Sequence, residues 1–234
     1  MTVAPGPIQK AIADTKINER YAIDLVQKRI GRKTNRKDFM TRILSCRDED
    51  SIPDVQIAAH ASDFVLAGSE TTATALSCIV YYLCHTPRAL ERVKKEICNG
   101  FAKYQDINAA TTSNLEYLNA VILEGLRIYP PLPFALPRIV PDRGDTVDGH
   151  WLPAKVRHVI TSHKRAIDLI GSQTVVSTNP YAACLDSKNF ERPYQFEPER
   201  WLMRNEKDII DASQPFSLGS RGCLGQRYAY FPLA

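Results

Sequence analysis

One long apolar stretch constrains the fold more than any other feature of this sequence. Ser51 or Asp50 can cap a helix, Pro53 suits a first helical turn, and the chain then stays largely apolar as far as His85. At about 1.5 Å per residue, a helix over roughly residues 52–85 is on the order of 50 Å long and crosses a whole domain. The stretch therefore predicts a single long helix.

The middle of this stretch is poorly suited to a helix. Residues 67–72 read AGSETT, in which a glycine is followed by several hydroxyl-bearing side chains. Glycine costs backbone entropy in a helix, and short hydroxyl side chains compete for backbone hydrogen bonds. A break at this position in so apolar a helix needs a specific reason.

The composition is that of an ordinary soluble globular protein. The 234 residues are 44% hydrophobic and 24% charged, and the formal net charge is +4. So small a charge argues against a nucleic-acid partner and against an anionic membrane surface. No window approaches the roughly eighteen consecutive apolar residues of a membrane span, and the N-terminus does not resemble a signal peptide. Six cysteines without CxxC spacing argue against a zinc site or a disulfide framework.

Further helices are predicted on both sides of the long one. Residues 8–30 have apolar positions at helical spacing. Thr86-Pro87 begins a helix that ends at Asn99-Gly100. Ser113 and Glu116 have the spacing of a capping box, which predicts a third helix over about 113–129.

The rest of the chain is predicted to be loops and short strands. Pro130-Pro131 ends the third helix, because a proline disfavours helical backbone in the preceding residue. Short β-like segments follow at residues 132–140, 145–153 and 174–179. The predicted fold class is mainly α with a small β component.

Residues 216–225, FSLGSRGCLG, place one cysteine in a tight glycine-rich loop. The three glycines permit positive φ angles and close approach of the backbone to a flat ligand. Backbone N–H groups around Cys223 can point at its sulfur, and the Arg221 cation favours a thiolate or pairs with a ligand carboxylate. A buried, inert cysteine is the alternative, but it fits poorly with three glycines and an arginine.

Two further motifs are unremarkable by themselves. Glu124 and Arg127 are three residues apart and share one helix face. An isolated pair of this kind is typically an exposed ion pair that contributes less than about 1 kcal/mol. Arg200, in FEPERW, lies in a proline-rich loop.

Taken together, four motifs resemble those of cytochrome P450 monooxygenases. FSLGSRGCLG matches the haem loop FxxGxRxCxG, AGSETT the distal-helix element A/G-G-x-D/E-T-T/S, EGLR the ExxR motif and PERW the meander motif. They occur in the family's order and at roughly its spacing. The resemblance implies that residues 1–234 are a single partial domain, the C-terminal half of the cytochrome P450 fold. The sequences PERWL and DFMTRIL are typical of fungal members from secondary-metabolite pathways.

The resemblance implies roles for four residues of the loop and for Arg138. Cys223 would be the proximal thiolate ligand of the iron in haem (heme; iron protoporphyrin IX). Phe216 would pack against the haem, and Gly225 would let the following helix approach. Arg221 and Arg138 would pair with the haem propionates.

The other motifs would support the haem from its two sides. Glu124, Arg127 and Arg200 would form a buried ion network that holds the meander against the core, and breaking such a network is costly. On the distal side, Gly68 and Thr71 would open a local bulge that makes room for O2. Thr71 would hydrogen-bond the oxygen, and Glu70 would help to relay protons.

The activity that the resemblance implies is monooxygenation of a small apolar organic substrate. One oxygen atom of O2 enters the substrate and the other leaves as water, with electrons from NADPH through NADPH-cytochrome P450 reductase. Residues 131–136 are expected to line what remains of the substrate pocket. The family typically resides at the endoplasmic reticulum membrane, but no membrane anchor is expected in this chain.

The chain departs from the family pattern in three ways. The family is about twice as long, so the N-terminal half is expected to be missing. Residues 156–173 interrupt a run that is normally continuous, and their 18 codons have the length of a small fungal intron, which predicts a retained intron. The C-terminal FPLA cuts short the helix expected behind the haem.

Two other interpretations therefore remain open. One is a truncated, catalytically inactive fragment, or an incorrectly spliced gene model, that binds no haem. The other is a helical interaction module without a cofactor. His158 and His163 fall in the suspected intron and are assigned no function.

Overall fold

Helices form most of the described chain, which confirms the mainly α expectation. The structure is a computed structural model that describes residues 6–32, 36–46, 52–134, 136–147, 149–154, 174–203, 206–227 and 229. The α-helices are α1 (Gly6–Ile30), α2 (Phe39–Ser45), α3 (Asp54–His85), α4 (Pro87–Gly100), α5 (Ala109–Thr112), α6 (Glu116–Ile128) and α7 (Pro180–Leu185). Short 3-10 helices lie at Tyr104–Asp106, Pro198–Trp201, Ile210–Ala212 and Gly219–Arg221.

The chain divides into two compact units, Met1–Ala73 and Thr74–Ala234. In the first unit, α1, α2 and the N-terminal part of α3 pack around a small core that contains Val26, Ile57 and Ala58. Asp38 caps α2, because its carboxylate accepts a hydrogen bond of 2.8 Å from the Thr41 amide. The backbone amide and the hydroxyl of Thr41 lower the pKa of Asp38.

Helix α3 is long and apolar enough to cross a membrane by length and composition alone. Its most apolar 18-residue window has a mean hydropathy of 1.2, and 11% of that window is buried. The sequence has no run of consecutive apolar residues long enough for a membrane span, and on that criterion none is expected. A mean hydropathy tolerates scattered polar positions, so α3 meets this criterion of mean hydropathy although it lacks such a run. One helix of this kind is weak evidence for a membrane span, since core helices of soluble proteins meet the same criteria.

Helix α6 is the centre of the second unit. Nearly all its residues are buried, and it packs against α4, α7 and the 3-10 turn Pro198–Trp201. Gly125 lies against Ile79, and a Cβ at this position would overlap with the Ile79 side chain. The glycine of the EGLR motif therefore allows α6 to approach Ile79 closely.

The expected capping box at Ser113 and Glu116 is wrong. The structure has a capping box at Asn108 and Thr111 instead, where it begins α5. Ser113 is the C-cap of α5, and its hydroxyl donates to the Ala110 carbonyl. Helix α6 begins at Glu116 without a side-chain cap from its own sequence.

A residue from another helix satisfies the N-terminus of α6. The Glu96 carboxylate of α4 accepts hydrogen bonds of 2.8 Å from the amides of Tyr117 and Leu118. A carboxylate at this position binds free amides and also suits the positive end of the helix dipole. A cap supplied across a tertiary contact leaves no local pattern in the sequence.

The predicted β-like segments form two small antiparallel sheets. Strand β1 (Arg138–Ile139) pairs with β4 (Val175–Val176), and β2 (Asp145–Val147) pairs with β3 (His150–Leu152). The suspected intron, 156–173, lies outside the described residues, as do the last five residues of the chain.

Candidate functional site

The carboxylate of Glu124 and the guanidinium of Arg127 form a fully buried pair at the centre of the second unit. Arg127 donates to both carboxylate oxygens, from Nε to Oε2 and from Nη2 to Oε1, each at 2.8 Å. The remaining Arg127 hydrogens bind the backbone carbonyls of Cys184, Pro193 and Gln195 at 2.8–3.2 Å. On a surface this pair would contribute little to stability. Here every N–H of Arg127 has an acceptor, and the hydrogen bonds connect α6 to α7 and to the loop after α7.

Arg200 completes the predicted network. Its Nε donates to Glu124 Oε1 at 3.1 Å, so the three charges expected from the family motifs lie together. Its Nη1 donates to Asp208 Oδ2 at 2.7 Å. Burial favours the neutral form of Arg200, but the Glu124 and Asp208 carboxylates outweigh it and hold the pKa of Arg200 above its ordinary value.

Sequence reasoning missed three members of this cluster. Trp201 donates its indole N–H to Glu124 Oε2 at 2.9 Å. Phe190 is fully buried beneath two guanidinium groups, with its ring centre 5.0 Å from Arg127 Cζ and 5.8 Å from Arg200 Cζ. Asp208 is the third. The tryptophan of PERW was visible in the sequence, whereas nothing local marks Phe190 or Asp208.

A more exposed cluster joins α4 to the same turn. Glu199 accepts hydrogen bonds from Arg88 and Arg92, each at 3.3 Å, and from the Tyr117 hydroxyl at 3.2 Å. Burial, followed by the Glu199 carboxylate, raises the pKa of Tyr117 to about 12. The PERW turn is therefore fixed to the helical core through both Glu199 and Arg200.

The cysteine loop is a compact turn whose backbone closes on itself. The Cys223 amide donates to the Phe216 carbonyl at 2.7 Å, and the Gly222 amide donates to the Gly219 carbonyl at 3.0 Å. Ser217 and Gly219 have positive φ angles of 57° and 69°. A positive φ angle favours glycine, which explains the glycine at position 219 of the motif.

The thiol of Cys223 is exposed, unlike that of Cys184, which is buried and has its pKa raised by burial. Phe216, at the other end of the loop, packs against the apolar core of the second unit. The loop thus presents a cysteine to the outside while one end is anchored in the core. The alternative of a buried, inert cysteine does not describe Cys223.

An open cavity of about 460 Å³ lies at this loop. It is lined by Ser217, Leu218, Gly219, Gly222, Cys223, Leu224, Gln226 and Arg227. A Cβ added at Gly219 would meet no atom within 4 Å, whereas one at Gly222 would lie 3.2 Å from the Gly219 carbonyl oxygen. The tight turn therefore disfavours a Cβ at Gly222, whereas Gly219 is explained by its positive φ angle and not by crowding.

The AGSETT segment is helical throughout. Helix α3 is continuous from Asp54 to His85, and the Thr71 hydroxyl donates to the Ala67 carbonyl at 2.7 Å. The expected bulge at Gly68 and Thr71 is absent from this described part of the chain. The hydroxyl bonds back to its own helix, which satisfies Thr71 without opening the backbone. Gly68 and Glu70 are exposed.

Comparison with known proteins decides the family. The sequence model of the family described as Cytochrome P450 matches residues 7–233. The chain belongs to the cytochrome P450 family. It is 50% identical to the cytochrome P450 monooxygenase ORF11 of Penicillium roqueforti (strain FM164), in an alignment that covers 98% of this chain and 44% of that protein.

Other fungal relatives of this cytochrome P450 chain show the same partial coverage. The cytochrome P450 monooxygenase BipB of Cochliobolus sativus is 38% identical, with 97% of this chain and 43% of BipB covered. The monooxygenase BOT4 of Botryotinia fuckeliana is 36% identical, with 92% of this chain and 37% of BOT4 covered. The chain therefore spans about two fifths of the length of these relatives.

The residues of the cysteine loop fit the thiolate side of a haem site. The cavity offers one sulfur donor, Cys223, beside two exposed apolar side chains, Leu218 and Leu224. Apolar side chains around a single soft donor suit a flat, largely apolar macrocycle with an iron at its centre. Arg221 is exposed in the same loop, and Arg138 lies half-buried on β1. Their pairing with propionates stays a prediction.

Proposed function

We propose that this chain is the haem-binding part of a monooxygenase that inserts one oxygen atom of O2 into a small apolar organic substrate. The observation that carries this proposal is the exposed Cys223 in its glycine turn, facing an open cavity. The fungal relatives, which are named cytochrome P450 monooxygenases, support the reaction class. A place in fungal secondary-metabolite biosynthesis is part of the proposal.

In the proposed enzyme, each part of the cysteine loop has one task. Cys223 would bind the haem iron, and Arg221 and Arg138 would hold the propionates as charge-assisted partners. The bound haem would supply O2 activation, with the thiolate donating electron density that favours O–O bond cleavage. Gly225 would leave room for the following helix. A Cβ at Gly225 would lie 3.8 Å from the Cys223 sulfur.

Thr71 and Glu70 of α3 would take part in proton transfer. Thr71 uses its hydroxyl hydrogen on the Ala67 carbonyl, which leaves the oxygen lone pairs free to accept a further hydrogen bond. Glu70 is exposed one residue earlier on α3, where its carboxylate can exchange protons with solvent. Electrons would come from NADPH through NADPH-cytochrome P450 reductase.

A second candidate is a fragment that has the family's sequence but binds no haem. It is favoured by the exposure of Leu218 and Leu224 at the cavity. Haem held by one open loop would remain largely in contact with water.

One experiment separates the two candidates. The chain is expressed, reconstituted with haem, reduced and exposed to CO, and the absorption spectrum is recorded. Monooxygenase ancestry with a working site predicts the red-shifted Soret band of thiolate-ligated haem, and Cys223→Ser abolishes that band. Cys98→Ser, which changes another exposed cysteine outside the loop, is the matched control and keeps the band. A wild-type chain without the band would reject the first candidate.

A further inference from the structure

The charges of the three buried motif residues do not balance. Glu124 contributes one negative charge, and Arg127 and Arg200 contribute two positive charges. The side chains of all three are nearly inaccessible to water. A net charge buried in this way is strongly unfavourable unless a further counter-ion lies beside it. The arrangement therefore needs a fourth charge that the motifs do not name.

Asp208 meets this requirement. Its side chain is 1% exposed, and its Oδ2 lies 2.7 Å from Arg200 Nη1. Its other oxygen, Oδ1, accepts the Glu191 amide at 2.7 Å. The competing carboxylate on Arg200 is that of Glu197, which is 3.4 Å away and 20% exposed. Asp208 is thus the closer and better buried partner.

Asp208 also stands at the start of the segment that leads to the cysteine loop. The next residue, Ile209, donates its amide to the Asn189 carbonyl at 2.7 Å. At the far end of this segment Phe216 packs in the core, and its carbonyl accepts the Cys223 amide. Both ends of residues 208–216 are therefore fixed before the chain turns towards Cys223.

We propose that Asp208 is the fourth charge of the buried cluster and the positioning residue that fixes the segment carrying the cysteine loop. It neutralises Arg200, which lets the guanidinium stay buried against Glu124. It also ties residue 208 to the Glu191 backbone. This role concerns the polypeptide alone and holds whether or not the chain binds haem, so it can fail independently of the proposed function.

A double-mutant cycle on the full 234-residue chain tests the charge balance. Asp208→Asn keeps the shape but leaves one excess positive charge, and we expect it to raise the unfolding equilibrium constant on the order of 100-fold. Arg200→Gln leaves one excess negative charge. In the Arg200→Gln background, Asp208→Asn restores neutrality, so it is expected to leave the unfolding equilibrium constant unchanged or to lower it.

The readout is urea unfolding followed by circular dichroism. If either single variant fails to fold, recovery of a folded double variant is the expected result. A double variant that loses as much as the two singles combined, or that stays unfolded with them, overturns the proposed charge balance.

Hydrogen exchange followed by mass spectrometry tests the positioning role. In Asp208→Asn, we expect the exchange rates of peptides that cover residues 209–223 to rise at least about tenfold more than those of α4 peptides, which respond only to the loss of global stability. Glu197→Gln is the matched control, because it removes the other carboxylate from the same guanidinium. Equal acceleration in both variants, or uniform acceleration that includes α4, contradicts a positioning role for Asp208.

Discussion

Glu124 shows how tertiary structure changes the value of a short motif. Its two oxygens accept hydrogen bonds from Arg127, Arg200, the Glu197 amide and the Trp201 indole, all within 3.1 Å. With this many donors, the hydrogen-bonding capacity of the buried carboxylate is filled. The spacing of Glu124 and Arg127 predicts an ion pair between them, but this pair accounts for only some of the hydrogen bonds that Glu124 accepts.

The indole of Trp201 offers a residue-scale prediction. Trp201→Phe keeps an aromatic ring in the PERW turn but removes the N–H that binds Glu124 Oε2. A hydrogen bond to a buried charged group contributes about 1.5–3 kcal/mol, so we expect a loss of about that size in the free energy of unfolding. Urea unfolding followed by circular dichroism measures it.

The matched control for this substitution is the other tryptophan. Trp151 is 64% exposed on β3, so Trp151→Phe is expected to change the free energy of unfolding by less than about 0.5 kcal/mol. Equal losses in the two variants would show that the ring, rather than the N–H of Trp201, carries the effect.

At the scale of elements, Gly125 determines how closely α6 approaches Ile79. Alanine is a better helix former than glycine by about 1 kcal/mol, so a glycine in the middle of α6 weakens the isolated helix. The close packing against Ile79 explains its presence, because a Cβ would overlap with the Ile79 side chain. Tertiary packing therefore outweighs helix propensity here.

The corresponding prediction is that Gly125→Ala destabilises the chain in spite of its helix propensity. Overpacking typically costs about 1–3 kcal/mol, which exceeds the propensity gain at the upper end of that range. Ile79→Ala removes the overlapping atoms. In that background, Gly125→Ala should therefore lower the free energy of unfolding by less than it does in the wild-type chain. Thermal unfolding followed by circular dichroism measures each variant.

Gly68→Ala is the control for helix propensity. Gly68 is also in the middle of a helix, but a Cβ there would meet no atom within 4 Å. Its replacement is therefore expected to stabilise α3 by up to about 1 kcal/mol. If Gly125→Ala were also stabilising, the close approach between α6 and Ile79 would not constrain this position.

The sequence predicted elements that depend on local pattern and missed contacts that depend on distant residues. Helices with apolar periodicity were visible, as were the glycines and cysteine of the loop. The local pattern favours Ser113 as the cap of α6, whereas Glu96 of α4 supplies it. Asp208 could not be assigned either, because only the folded chain brings it to Arg200.

At the scale of the whole molecule, several apolar side chains stay exposed in the described part of the chain. Val65 and Leu66 are exposed on α3, and Leu218 and Leu224 are exposed in the cysteine loop. Isolated apolar side chains are common on surfaces, but clusters of them typically mark surfaces that bind something. The relatives are more than twice as long, so further chain is available in them to cover such faces.

The junction around the suspected intron gives the last prediction. The Thr174 amide donates to the Ala154 carbonyl at 3.2 Å, so the two residues that border the undescribed segment are neighbours. A single linking residue, Lys155, can span this separation, since two extended residues reach about 7 Å. Deleting residues 156–173 should therefore leave the β1–β4 pairing intact. Because the closure entropy of a loop grows slowly with its length, we expect a gain in the free energy of unfolding of less than about 1 kcal/mol.

Two measurements check this expectation. Urea unfolding compares the deletion variant with the full chain, and deletion of residues 186–203, which removes Phe190 and Arg200, serves as a control of equal length that we expect to unfold the second unit. Sequencing of cDNA across Lys155 and Thr174 asks the same question of the gene, where a transcript without the 54 nucleotides is the expected result. A transcript that always keeps them, or a deletion as damaging as the control, would mean that these 18 residues belong to the native protein and contribute to its stability.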